Sequence, residues 1–363
     1  MRKVTFPHMG NLNISAGAFF REMGLEVIVP PANSKKTLDL GMKYSPEFAC
    51  LPLKINIGNF IEAMEQGADT IIMGGGVGPC RFGYYCEVQR EILKDLGYDF
   101  EMYVIEPEVF SNIRKMREVF NGFSLNKIFR AGRLAWKKIM AVDKINEMVM
   151  RSRALEKEEG FIDSLYSDFL NNLDQTNLIK EIQGLTEEYS KQIINNTSDK
   201  KDLVRIGIVG EIYLVLEPFI NLNIARKLGE LGAVVERNIY ISEWIREFLN
   251  LTEEHDLIEE AARPYLNSPV GGHGVDTIGN TVRYAKRGFD GVVQVAPFTC
   301  MPEIVAQTIL PEVGEGEDIS VLSIFFDEHT GEAGLNTRLE AFIDLLRRKR
   351  EVKGKYGKKI PGN

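Results

Sequence analysis

The sequence predicts an α/β fold: two Rossmann-like lobes, each with a parallel sheet, joined by a helical segment. Three observations carry this. Short apolar runs of strand character alternate with helical stretches up to about residue 106. The same rhythm returns at Val204. Between them lies a stretch with no clear strand, where apolar residues such as Ile139, Val142, Ile145 and Val149 recur at helical spacing. Strands that alternate with helices imply a parallel sheet covered on both faces.

In order, Lys3–Phe6 reads as a first strand and Ser15–Met23 as a helix. Glu26–Val29 is a second strand, stopped by Pro30 and Pro31. A helix over Leu53–Gln66 leads to the apolar strand at Thr70–Met73. Helix Glu87–Leu96 and strand Glu101–Ile105 complete the first lobe, residues 1–106. The helical segment spans 107–202. It is basic from Arg114 to Arg153, with eleven Lys/Arg against three Asp/Glu, and acidic from Ala154 to Asp202, with eleven Asp/Glu against five Lys. Such faces either pair with each other or offer a surface to an acidic or phosphorylated partner.

The second lobe, 203–346, opens with strand Arg205–Val209. Helix Ile220–Leu231, strand Ala233–Glu236 and a helical stretch over Ser242–Leu266 follow. A Gly-rich loop, Gly271–Asp276, precedes the strand at Gly291–Val295, and Ser320–Phe326 is the last strand. The stretch Gly331–Arg338 opens a helix to about Arg350. From Arg347 the chain carries eight Lys/Arg and one Asp/Glu, read as a mobile basic tail over 347–363.

A chain of 363 residues is long enough for two or three domains with real cores. A net charge of −8 argues against a nucleic-acid binder. No segment approaches the roughly 20 apolar residues of a membrane span, and the N-terminus has no secretory h-region, so a cytoplasmic protein with reduced thiols is expected.

The four cysteines stand out. Cys80 and Cys86 follow the Thr70–Met73 strand, Cys300 follows Gly291–Val295, and Cys50 precedes the Leu53 helix. All four read as strand-end or helix-start turns, where α/β folds place functional groups. Prolines flank three of them, in Cys50-Leu-Pro52, Pro79-Cys80 and Cys300-Met-Pro302. Proline stiffens a turn and glycine lets backbone approach closely. The Gly74-Gly-Gly-Val-Gly78-Pro79 run lacks the G-x-G-x-x-G of a dinucleotide turn, because Pro79 replaces its last glycine. Glycines such as Gly76 and Gly78 therefore read as room for a metal group. No Cys-x-x-Cys pair occurs, so the pattern leaves an iron–sulfur cluster, a zinc site, inert thiols and a lone nucleophile all open.

Three stretches narrow these alternatives: Glu47-Phe-Ala-Cys-Leu-Pro-Leu-Lys54, Gly76-Val-Gly-Pro-Cys-Arg-Phe-Gly-Tyr-Tyr85 and Pro297-Phe-Thr-Cys-Met-Pro302. With Gly210-Glu-Ile-Tyr213, Glu217-Pro-Phe219 and Gly334–Phe342, the chain resembles the 2-hydroxyacyl-CoA dehydratase subunits and the related CoA protein activases. The resemblance implies a 4Fe–4S cluster in the cleft between two α/β lobes. Cys50, Cys80 and Cys300 match its three ligands, and Cys86 departs from the pattern as a possible fourth. Four thiolates would close the cluster and favour electron relay; three would leave an iron open to a small ligand. The resemblance also implies an ATP-hydrolysing activator protein as electron donor, and a dimer. The chain has no phosphate-binding G-x-x-x-x-G-K-[ST] loop of its own. The expected function is thus an iron–sulfur protein, either a reductase or dehydratase-like enzyme or an electron relay. The alternatives are a scaffold or maturation partner with a structural cluster, and a zinc-stabilised binding protein.

Other strand-end residues are candidates for the same cleft. His8, His273, His329 and Glu211 are candidate acids, bases or hydrogen-bond partners; for each histidine, loop stabilisation is the simpler reading. Arg81 would tune cluster charge or pair with a carboxylate, and Tyr213 would line the cleft or pack on the next helix.

Overall fold

The computed structural model describes residues 2–76, 80–105, 124–200, 202–248 and 251–356. Two four-stranded parallel sheets form the two lobes. In the first, β1 (Lys3–Thr5), β2 (Glu26–Val27), β3 (Thr70–Gly74) and β4 (Glu101–Ile105) lie in the order β2-β1-β3-β4. In the second, β5 (Val204–Gly210), β6 (Ala233–Arg237), β7 (Gly291–Pro297) and β8 (Ser320–Phe326) lie in the order β6-β5-β7-β8. The two orders are equivalent. In each sheet the chain leaves the first strand toward one edge and the third toward the other. The first and third strands are neighbours, so each lobe has a topological switch point at their carboxyl ends, where such sheets bind ligands. Strand β7 is buried along its whole length, as a central parallel strand should be.

The first lobe carries α1 (Leu12–Glu22), α2 (Lys35–Tyr44), α3 (Leu51–Glu65) and α4 (Phe82–Asp95). Helix α3 is buried from Leu51 to Met64, its polar members Lys54, Asn56, Asn59 and Glu62 included. The helical segment supplies α5 (Leu125–Ser152), α6 (Phe161–Gln175) and α7 (Ile179–Asn195). Ile139, Val142, Ile145 and Val149 are all buried, and the last three share a core with Ile162, Phe169, Leu173 and Ile193 and with Ile14 and Ala18 of α1. The basic and acidic parts of this segment do pair, for example Arg153 with Asp163 at 2.8 Å. Residues 106–123 lie outside the described residues, as does the start of the predicted segment.

The second lobe carries α8 (Ile212–Leu216), α9 (Ile224–Glu230), α10 (Ile241–Phe248), α11 (Glu254–Ala262), α12 (Gly274–Lys286), α13 (Met301–Gly316) and α14 (Glu332–Tyr356). Two expectations need correction. The Gly271–Asp276 loop ends early: α12 begins at Gly274, because its buried face is made of small residues such as Thr277, Gly279 and Thr281 that carry little apolar signal. The basic stretch is no separate tail at its start, since α14 runs unbroken through Arg347 to Tyr356. Arg347 donates to the Leu231 carbonyl at 2.7 Å and Arg350 to the Leu203 carbonyl at 2.6 Å, closing orphan backbone acceptors.

The lobes are joined directly. Lys54 of α3, almost fully buried, pairs with Glu328 beyond β8 at 2.7 Å. The Gly10 N–H donates to Glu217 Oε2 at 2.7 Å, and the Tyr213 hydroxyl donates to the His8 carbonyl. Leu51 and Ile55 of α3 belong to the same apolar core as Tyr213, Leu335 and Leu339. Among the described residues no helix is long and apolar enough to cross a membrane.

Candidate metal centre

Three cysteines stand at the starts of helices. Cys50 is the N-cap of α3 and Cys300 the N-cap of α13, each with proline in the first turn. Cys80 immediately precedes Arg81, the N-cap of α4. Proline tolerates this position because the first N–H groups of a helix have no partner within it. The backbone at each helix start favours the charged form of the sulfur, Leu53 for Cys50, Phe82 for Cys80 and Glu303 for Cys300, although neither Cys50 nor Cys300 forms a side-chain cap bond. A helix N-terminus with free donors suits an anionic ligand.

The three starts are brought together by one guanidinium. Arg81 donates to the Phe48 carbonyl at 3.0 Å, and to the Thr299 carbonyl at 2.6 Å and hydroxyl at 3.0 Å. It thus ties the Cys80 turn to the Cys50 turn of its own lobe and to the Cys300 turn of the other. Gly210 allows the second lobe to close here: it has φ +138°, and a Cβ would stand 1.9 Å from the Val295 carbonyl oxygen. The chain then passes to Glu211, the N-cap of α8, whose carboxylate accepts from the Leu214 N–H at 3.0 Å. Glu211 is close enough to act electrostatically on Cys50, Cys80 and Cys300 alike.

Burial dominates the electrostatics. It raises the Cys50 thiol to about 11, with the Tyr85 hydroxyl and the Leu53 N–H working against it and Glu211 adding to it. Burial, then Glu211, raises Cys300 further, and burial raises Cys80. Glu211 is also raised, by burial first. Glu303, in the first turn of α13 and fully buried, is raised to about 8 by burial, although Gln294 and Thr277 bond its carboxyl. The three thiols are partly buried and all raised, so they stay protonated on their own and need a cation to become thiolates. That donor set fits an iron–sulfur cluster. Among the described residues, no three His, Cys, Asp or Glu side chains group tightly enough to hold a single metal ion. A cluster spreads its thiolates over separate irons, whereas zinc gathers its ligands about 2.0–2.3 Å from one centre.

The remaining candidates fall into place around this junction. Cys86 is no turn residue: it lies in α4, 2% exposed, among Leu53, Ile57 and Met73, with its thiol donating to the Gly74 carbonyl at 3.3 Å. The helix begins four residues before it, which corrects the reading of all four cysteines as turn residues. His273 caps α12 and acts on Glu211; the neighbouring Gly272 approaches the Cys80 sulfur. His329 is exposed in a turn closed by Asp327 and Thr330. The main chain of His8 is held by Asn59 and Tyr213. Tyr213 therefore acts as a strut between lobes through its hydroxyl. It is Gly83 that lets the end of β3 cross the first turn of α4, since a Cβ there would stand 2.5 Å from the Gly76 carbonyl oxygen, whereas a Cβ on Gly76 itself would meet nothing closer than 3.5 Å. Gly78 lies outside the described residues. Tyr85 and Glu303 were not among the predicted residues. Tyr85 stood inside a quoted motif, whereas Glu303 follows Cys300-Met-Pro302 as an ordinary first-turn acid.

Two parallel lobes whose switch points meet over helix-start cysteines define a two-lobed α/β protein with a thiol-lined junction. The chain belongs to the 2-hydroxyglutaryl-CoA dehydratase D-component family, whose model matches residues 99–346. Residues 9–75 match the CoA enzyme activase uncharacterised domain. Cys50 and Cys300 fall within these matches, while Cys80, Arg81 and Cys86 fall between them. No curated protein matches the chain.

Proposed function

We propose that this dehydratase-type component holds a 4Fe–4S cluster on Cys50, Cys80 and Cys300 and accepts low-potential electrons from a separate ATP-hydrolysing activator. It passes them on or uses them to reduce a small ligand. One observation carries the reading: three cysteines at three helix starts from two lobes, tied by the single Arg81 fork. When bound, such a cluster supplies one-electron chemistry and, with three thiolates, an open iron position. The chain's own residues do the rest. The Leu53, Phe82 and Glu303 N–H groups soften negative charge on the sulfurs. Glu211 and His273 stand where a ligand at the junction would meet an acid or base. The core position of Cys86 favours three thiolates over four.

The rim supports delivery of electrons by a partner protein. Phe48, Tyr84 and Phe298 are 76%, 70% and 64% exposed, and each stands within four residues of one of the three cysteines. Exposed apolar groups gathered round one site mark an interaction surface. The test is anaerobic reduction of the iron-loaded protein by a reduced activator with ATP, followed by bleaching of the visible absorbance. Rapid bleaching that slows in Phe48→Ser and Phe298→Ser, with iron content unchanged, supports the reading. A loaded protein that takes up no electrons would leave a structural cluster on a scaffold instead.

A further inference from the structure

A cavity lies where the first lobe, the helical segment and the second lobe meet, and no cysteine lines it. Its volume is about 390 Å³, within the range of about 300–1,000 Å³ typical of small-molecule sites. Much of the wall is apolar, including Met9, Val142, Leu216 and Phe219. Its charged groups are mostly answered. Arg153 pairs with Asp163, and Arg226 with Asp163 and Glu230. Glu217 accepts from the Gly10 and Phe219 N–H groups, and Asp143 from the Ser242 N–H.

Three buried polar atoms of the wall are not answered: Arg237 Nε, Asn146 Oδ1 and His8 Nδ1 have no hydrogen-bond partner among the described residues. Arg237 stacks on the Tyr240 ring, 4.7 Å from its centroid, and acts electrostatically on the buried Asp143 carboxyl of the same wall, but forms no ion pair within 4.0 Å among the described residues. The Asn146 amide N–H₂ is fixed on the Tyr166 hydroxyl at 2.8 Å, which leaves its carbonyl oxygen committed to a donor from elsewhere. Buried polar groups in native proteins are nearly always satisfied, so groups left open around a cavity describe the ligand that completes them. Here they call for an anion at Arg237 and a hydrogen-bond donor at Asn146, on a body apolar enough for the remaining wall.

We infer that this cavity binds a small carboxylic acid bearing a hydroxyl or amino group, with Arg237 taking the carboxylate and Asn146 the donor. The site shares no cysteine with the metal centre, so it stands or falls independently of the proposed cluster. Saturation-transfer NMR on the full chain tests it with matched probes: 3-hydroxybutyrate and 2-aminobutyrate, butyrate without the donor, and butane-1,3-diol without the carboxylate. Transfer to at least one of the two substituted acids is expected, with affinity about tenfold weaker for the diol and for butyrate. Arg237→Gln should abolish it. Asn146→Asp, which leaves the guanidinium in place and presents it with a competing carboxylate, should abolish it as well and decides the matter if the arginine variant does not fold. Absence of transfer from both substituted acids, equal transfer to the diol, or retained binding in a folded variant overturns the inference. An Arg237 that serves only the fold through Tyr240 would give the first of these results together with a lowered Tm in Arg237→Gln.

Discussion

Arg81 donates to backbone oxygens on both of the other cysteine turns, and a lysine cannot reproduce that fork. Arg81→Lys should fold with stability within about 0.5 kcal/mol of wild type, as exposed substitutions usually do. It should lose iron to a chelator several times faster; unchanged loss would remove Arg81 from the site. Cys86→Ala should cost about 1 kcal/mol from the core and keep its iron, measured by urea unfolding and metal analysis. Loss of iron there would restore a fourth thiolate. Three cysteines were legible because proline and a strand end or helix start surround each one. Cys86 was not, because Arg81 provides no side-chain cap and Phe82-Gly-Tyr-Tyr is a weak helix start, so the pattern reads as a continued loop. Arg81 was legible as a candidate beside Cys80 but its part in tying the turns together was not, since two of its three contacts are to main-chain oxygens that any residue supplies.

At the scale of elements, α3 sets the height of Cys50, and α2 locks α3. A Cβ on Gly58 would meet the Thr37 carbonyl oxygen at 2.0 Å, and one on Gly41 the Lys54 carbonyl at 1.9 Å. Gly58→Ala must push the helices apart, at a cost of about 1–3 kcal/mol or more in denaturant unfolding, and should weaken iron loading with it. His255 of α11 faces Asp276 of α12 at 3.6 Å, with Glu259 and Glu247 nearby, and is raised to about 9, its interaction with Asp276 first among the causes. A raised imidazole stabilises the fold fully below its unfolded value of 6.5 and loses that contribution as pH rises through about 9. His255→Gln should therefore lose stability relative to wild type below pH 6.5 and match it above pH 9. A constant difference across that range would reject the linkage. The long periodic helices and the apolar strands were readable throughout. Helix α2 was overlooked, being short and charged, although Ser34 and Thr37 form a capping box at its start. Helix α13 was overlooked because Pro302 and Pro311 both fall within it.

For the whole molecule, the repeated strand order is what makes a shared site possible. Each sheet presents the ends of its first and third strands: the β3 end leads to Cys80, and the β7 end to Cys300. Lys54–Glu328, Gly10–Glu217 and Tyr213–His8 hold those ends against each other. The alternation that predicts two lobes is local and survives in the sequence; the contacts that face them are long-range and do not. The central claim is that the junction carries an iron–sulfur cluster on Cys50, Cys80 and Cys300. Iron and acid-labile sulfide per chain, measured after anaerobic purification of wild type and of each single Cys→Ser variant at these positions, test it most directly. The account predicts about four irons and four sulfides in wild type, as a 4Fe–4S cluster requires, and their loss in all three variants. Zinc without iron, or a variant at any of the three that keeps its full iron, would contradict it.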